Sequence, residues 1–235
     1  QADDRRRPHR AADPRLWRHR PPGLPPPGPG GRFADGGAAL TVADARLPDD
    51  ARRHPGVTYT AVDVLDEAAV AAAVAGLPPG PAAVVNLVGG YTPPQPIRDL
   101  DLRVLRQQLE LNLVSAAVVT KYALAHLAGQ GGGTIVHTSS RVAVQSGENG
   151  FAYSASKLGV TRLVEAAAAE GRAHGVTVNC IMPSIIDTPV NRAAMPDAPH
   201  RKWPKPAEIA AVLAFLVSPD AGLISGAAIP VYGRV

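Results

Sequence analysis

The sequence predicts an α/β fold, a doubly wound parallel sheet with helices on both faces, and three observations carry that expectation. From Ala38 to the C-terminus short apolar strands alternate with helical stretches, the order of strand–crossover–strand units. The run Ala82-Ala83-Val84-Val85-Asn86-Leu87-Val88 is apolar without alternation, as in a strand buried on both sheet faces. Asp44, Asp63, Asn86, Gly89, Gly90, Ser139, Ser140 and Pro183 fall at the carboxyl ends of strands, where open α/β sheets bind their ligands.

Taken in order, Ala39-Leu40-Thr41-Val42-Ala43-Asp44 reads as a strand ending in an acid, and Val57-Thr58-Tyr59-Thr60-Ala61-Val62-Asp63 as a second. An alanine-rich run between Asp66 and Leu77 is helical. The apolar strand that follows is stopped by Gly89-Gly90, a loop carries Pro93, Pro94 and Pro96, and a long helical stretch runs from about Leu100 to Leu127. Gly131-Gly132-Gly133 turns the chain into Thr134-Ile135-Val136-His137-Thr138, which delivers Ser139 and Ser140. A helix from Phe151 to about His174 stops at Gly175. Val176 to Met182 is the next strand, closed by Pro183. Pro206 suits the first turn of a helix burying Ile209, Val212, Leu213 and Leu216, and Ala228-Ile229-Pro230-Val231-Tyr232 reads as a final strand.

Composition bounds the function. Hydrophobic residues are 46% of the 235 and aromatics 4%, so the core is aliphatic. The single Cys180 excludes an internal disulfide and a cysteine metal cluster, and a reducing cytoplasm is the expected location. No apolar run is read as membrane-spanning, so a soluble protein without a membrane partner is expected. The basic balance sits in residues 1–32, where eight arginines face Asp3, Asp4 and Asp13, while residues 33–235 carry a net charge of −1. Nucleic acid is therefore an unlikely partner, the arginine-rich start lacking interleaved aromatics. His126 and His137 show no ligand spacing, no metal is expected, and Cys180 reads as a core residue.

Tyr153 and Lys157 lie four residues apart, on one helix face, with Ser140 thirteen residues before the tyrosine. A phenol ionises near pH 10 in water, and an ammonium held beside it favours the phenolate. Such a tyrosine can move a proton.

Several motifs in order resemble the short-chain dehydrogenase/reductase family over about Gly36 to the C-terminus. Asn86-Leu87-Val88-Gly89 stands where that family has Asn-Asn-Ala-Gly, Leu111-Asn112-Leu113 carries its helix asparagine, and Ser140, Tyr153 and Lys157 have its spacing. Pro183-Ser184-Ile185-Ile186-Asp187-Thr188 matches Pro-Gly-x-Ile-x-Thr except for Ser184. The resemblance implies a single Rossmann-like catalytic domain over 38–235, a small carbonyl or alcohol substrate, an NAD(P) cofactor, and a homodimer or homotetramer. It implies that Tyr153 exchanges the proton, Lys157 lowers its pKa and binds the nicotinamide ribose, Ser140 holds the reacting oxygen and Asn112 holds a relay water. Asp63 and Val64 resemble the adenine contact, Asn86 and Gly89 the floor of the cofactor cleft, and Pro183, Ile186 and Thr188 the nicotinamide side. Asp44, ending its strand, would accept the adenosine ribose hydroxyls and repel a 2′-phosphate, favouring NAD, although Arg46 keeps NADP open. The segment from Asp187 to Pro196, followed by Trp203, also resembles the substrate side of quinonoid dihydropteridine reductases; the alternative is that Met195 and Trp203 only pack a lid.

The family begins with a strand, a Thr-Gly-x-x-x-Gly-x-Gly turn and a helix that receives the pyrophosphate. Residues 1–37 contain no such pattern; their prolines and arginines predict an irregular segment. A shifted reading frame would explain this. Moved one base, codons for Asp13 to Arg20 and Pro21 permit three of the four motif positions, a threonine and two glycines, and Gln1 in place of Met fits the same account. Stop codons in that frame, or no glycine codons, would overturn it. The loss makes a catalytically silent homologue the rival to an active oxidoreductase.

Overall fold

The computed structural model describes residues 39–48, 53–80 and 82–235. The irregular segment 1–37, with its frame-shift account and the absent first strand and phosphate loop, lies outside the described residues. All pairings among the described strands are parallel. β1 (Leu40–Asp44) pairs with β2 (Val57–Ala61), and β3 (Ala82–Asn86), β4 (Gly133–Thr138), β5 (Val176–Pro183) and β6 (Ala228–Val231) pair in that order. Among the described residues the strands thus form two sheets, one of two strands and one of four.

Side chains alternate across the strands, and two cores form on the two faces of the larger sheet. On one face Ile135, Val178 and Cys180 pack against Ala123 and Leu127 of α3 (Ser115–Gly129) and Val164, Ala167 and Ala168 of α4 (Phe151–Gly171). On the other, Val136 and Ile181 pack against Ile209, Leu213 and Leu216 of α6 (Pro206–Leu216). β5 lies between these cores, and β3 likewise gives Ala82 and Val84 to one and Val85 to the other, which accounts for its apolar run without alternation. A third cluster joins Val62 and α1 (Glu67–Ala75) to Val118 and Val119 of α3.

Local chemistry sets the ends of these elements. Asp66 caps α1 by accepting from the amides of Ala68 and Ala69 at 2.9 and 3.1 Å. β3 stops at Asn86, two residues before the sequence expectation, because the Asn86 side chain accepts from the Val88 amide at 3.1 Å and turns the chain. α4 ends through a 3₁₀ turn at Gly175, which adopts the left-handed conformation at φ 68°.

The stretch expected as one helix from Leu100 is α2 (Leu102–Leu109), a π-helical turn at Glu110–Val114, and α3. Contrary to the expectation of no spanning run, Leu102–Gly129 is long and apolar enough, by length and composition alone, to cross a membrane; 44% of its most apolar window is buried. The apolarity has a packing reason: α3 serves two cores, with Ala123 and Leu127 in one and Val118 and Val119 in another.

Candidate active site

The carboxyl ends of β3 and β4, the π-helical turn at Glu110–Val114 and the first turns of α4 bring together Asn86, Gly89, Asn112, Ser140, Tyr153 and Lys157, while Pro183 ends β5. Lys157, only 3% exposed, donates from Nζ to the carbonyl of Thr138 at 3.0 Å. Burial lowers its pKa to about 8. The Lys157 Nζ stands 6.0 Å from the centroid of the Tyr153 ring. The neighbouring Ser140 hydroxyl favours the phenolate, but burial dominates and holds the phenol above the ordinary tyrosine value, with Tyr91 adding to the rise. Helical spacing alone had suggested a phenol lowered by its ammonium neighbour. The pair does share a face, but desolvation, not the ammonium, sets the direction of the phenol's shift.

Asn112 sits in the π-helical turn, 1% exposed, and its amide is a hub. Its Oδ1 accepts from the Gly90 amide at 2.9 Å, and its Nδ2 donates to the Gly90 carbonyl at 3.0 Å and to Ser156 Oγ at 3.1 Å. The Asn112 side chain is thus engaged with the protein and clamps the loop after β3 to α4.

Asn86 is buried beneath this loop. Its amide contacts Nδ1 of His137 at 3.2 Å, and the Nε2 of His137 lies 2.9 Å from Thr120 Oγ1. Thr120 donates its own hydrogen to the Ala116 carbonyl at 2.8 Å, so it accepts from His137, whose Nε2 carries the proton and whose Nδ1 accepts from Asn86. Burial, with Lys157 nearby, lowers the His137 pKa to about 4. His137 is a packed core histidine with defined partners that its spacing did not reveal. Cys180, fully buried and opposite His137 in the ladder, is held protonated by burial, with a pKa of about 11. It belongs to the core.

Farther along, Ser184 donates to the Tyr232 carbonyl at 2.7 Å, which gives the residue standing in the expected glycine position a structural task. Thr188 caps the short helix α5 (Pro189–Ala194), accepting from the Asn191 amide at 3.3 Å, and Asn191 donates to the Ile186 carbonyl at 2.8 Å. Ile186 packs at the border of the α6 core. Trp203 is buried against the His200 ring, centroids 4.7 Å apart, so it packs the base of this segment. At and beyond the carboxyl ends of β1 and β2, Asp44 is exposed and accepts from the Arg46 amide at 2.8 Å, and Asp63 accepts from the Leu65 amide at 3.0 Å. Val64 borders the α1 core. Among the described residues no group of three or more His, Cys, Asp or Glu side chains converges as a metal site.

The described half of the cleft fits a nicotinamide nucleotide. A Cβ on Gly89 would lie 2.7 Å from both Asn112 Oδ1 and Lys157 Nζ, so only glycine leaves the floor open there. Thr138 Oγ1 is buried with no partner, and Lys157 has donor capacity beyond its bond to Thr138. Residues missed from the sequence include Gln108, Ser156 and Thr161, whose partners lie on other elements, and Tyr91, whose ring packs edge-on to Tyr153.

A family model described as enoyl-(acyl carrier protein) reductase matches residues 31–233. The chain is 33% identical over 218 residues to cis-4-hydroxycyclohexanecarboxylate dehydrogenase of Sinomonas cyclohexanicum, covering 86% of this chain and 88% of that one. It is 32% identical over 206 residues to L-fucose dehydrogenase of Bos taurus, covering 79% and 76%. A solved short-chain dehydrogenase/reductase from Burkholderia xenovorans superposes with a TM-score of 0.76 at 30% identity, covering 89% of this chain and 91% of that one. The α/β architecture and the match along nearly the whole chain carry one conclusion: this chain belongs to the short-chain dehydrogenase/reductase family of NAD(P)-dependent oxidoreductases.

Proposed function

We propose that this chain interconverts a small carbonyl compound and the corresponding alcohol, with Tyr153 as general acid and base. The observation that carries the reading is the meeting of Ser140, Tyr153 and Lys157 over a floor that Gly89 keeps open. The bound nicotinamide supplies the hydride chemistry. In reduction the Tyr153 hydroxyl gives its proton to the carbonyl oxygen, and in oxidation the phenolate takes it back. Ser140 donates a hydrogen bond to the same oxygen. Lys157, protonated below about pH 8, offers its ammonium to the phenolate and to a ribose hydroxyl. General acid–base catalysis of this kind contributes ~10²–10⁴-fold.

NAD is the preferred nucleotide on the strength of Asp44, whose exposed carboxylate at the end of β1 accepts ribose hydroxyls and repels a 2′-phosphate. The substrate is a secondary alcohol or its ketone, a class suggested by the relative named for a hydroxycyclohexanecarboxylate. The enzyme works in the cytoplasm as a homodimer or homotetramer, and the alanine-lined groove between α3 and α4, with Ala125, Ala128 and Ala166 on its walls, is the shared surface.

Titration with NADH and NADPH tests the reading, followed by turnover assays on cyclic and open-chain ketones. Binding of NADH with turnover supports it. Failure to bind either nucleotide, or turnover unchanged by Tyr153→Phe, overturns it, and the first outcome favours a silent homologue.

A further inference from the structure

Tyr91 lies just beyond the Gly89-Gly90 turn, 63% exposed, yet its ring centroid is 5.2 Å from that of Tyr153 with the planes at 86°. Edge-to-face pairs at this separation are favourable by about 0.5–1.5 kcal/mol beyond the area they bury. The pairing is also built from the backbone outward. Asn112 holds both the amide and the carbonyl of Gly90, the residue before Tyr91. The same amide donates to Ser156 Oγ, and Ser156 donates to the Tyr153 carbonyl at 2.8 Å. One buried side chain thus ties the chain at Tyr91 to the chain at Tyr153. On the other side of the ring, the loop is pinned where the Gln95 amide donates to the Asn149 carbonyl at 2.9 Å.

These contacts close a small concavity whose walls include Tyr91, Pro93, Pro94, Leu100, Val104 and Tyr153. Apart from the two phenols, no ionisable side chain lines it. Its interior, about 10 Å³, admits little more than a water, so an uncharged apolar ring would lie across its mouth against the Tyr91 face and the prolines, with only the uncharged Thr92, Gln95 and Asn149 as further polar neighbours, while charge would be left without a partner.

We propose that Tyr91 is a positioning and specificity-determining residue, which fixes the Tyr153 ring and forms the apolar wall that receives an uncharged ring of the substrate beside the reacting carbon. This assignment rests on the oxidoreductase reading for the meaning of "substrate", but the contacts themselves exist without cofactor and can be tested without turnover. The ionisable groups facing Tyr153 are Tyr91 and Lys157.

The test compares the full chain with Tyr91→Ala and Tyr91→Phe, each with and without Tyr153→Phe, so that the difference in tyrosinate absorbance on pH titration isolates Tyr153. Tyr91→Ala exposes the phenol and moves its midpoint downward; Tyr91→Phe keeps the covering ring and moves it less, losing only the repulsion from the Tyr91 phenol. Saturation-transfer NMR with cyclohexanone as the probe is the second measurement, expected to show contact in the wild type and Tyr91→Phe and loss of contact in Tyr91→Ala. Equal midpoints in all three chains overturn the positioning role, and equal or absent cyclohexanone contact in all three overturns the specificity role. A chain that passes both tests but turns over no ketone defeats the oxidoreductase reading and leaves the Tyr91 assignment standing.

Discussion

The buried relay from Asn86 through His137 to Thr120 shows how a single residue supports the cleft from below. His137 is neutral in the folded chain because burial lowers its pKa to about 4, whereas an exposed histidine titrates near 6.5. Between those values the unfolded chain binds the additional proton, so stability present above about pH 6.5 is lost as the pH falls toward 4. His137→Gln is expected to flatten the acid limb of a denaturation-midpoint profile over that window, at some cost at neutral pH. A profile unchanged from wild type would remove His137 from this role. Gly89→Ala is expected to weaken nucleotide binding at least tenfold, read by fluorescence titration, because its Cβ would press on Asn112 and Lys157. That Tyr153, Ser140 and Lys157 belong together was legible from spacing and resemblance. The roles of Asn112 as a clamp and His137 as a relay were not, since their partners lie 22, 44 and 51 residues away along the chain.

At the scale of elements, the π-helical turn at Glu110–Val114 places Asn112 where its amide reaches both the loop after β3 and α4. Such turns often occur at functional sites. Nothing in Leu111-Asn112-Leu113 shows the turn to the eye, because its extra residue changes hydrogen bonding and leaves the apolar pattern intact. Elsewhere the elements followed from period and punctuation: Gly175 ends the turn after α4, and the strand expected from Val176 is β5, between two cores. Close approach is the other determinant. A Cβ on Gly171 would lie 2.8 Å from the Val176 carbonyl, which as backbone cannot swing aside. Alanine is the better helix former by about 1 kcal/mol, yet Gly171→Ala is expected to destabilise by about 1–3 kcal/mol because the clash outweighs propensity. A raised denaturant midpoint would show the contact to be slack. Leu127→Ala, in the core under β4, is expected to cost about 2–5 kcal/mol in the same measurement.

Across the whole molecule, the proposed α3–α4 interface can be tested by one substitution in its groove. Ala125→Arg is expected to convert the sedimenting species to monomer while leaving nucleotide affinity within twofold; an unchanged sedimentation coefficient would place the interface elsewhere. The doubly wound plan was legible because strand ends, glycine stops and helix periods all agreed from Ala38 onward. Residues 1–37 gave no such agreement, for proline and arginine without apolar periodicity specify neither strand nor helix.

The light burial of β1 and β2, neither of which holds a fully buried residue, has a dynamic consequence. Among the described residues, β1 and β2 reach the remainder through α1 and Val62 packed on α3, with the exposed Lys121–Glu67 ion pair at 2.6 Å alongside. Surface pairs of this kind contribute little. That corner is therefore expected to open as a separate cooperative unit, its amides exchanging with solvent at a lower free energy than those of β4 and β5. Because Asp44 ends β1, the adenosine end of the cleft would be assembled and disassembled on its own schedule, while the proton-transfer end stays folded.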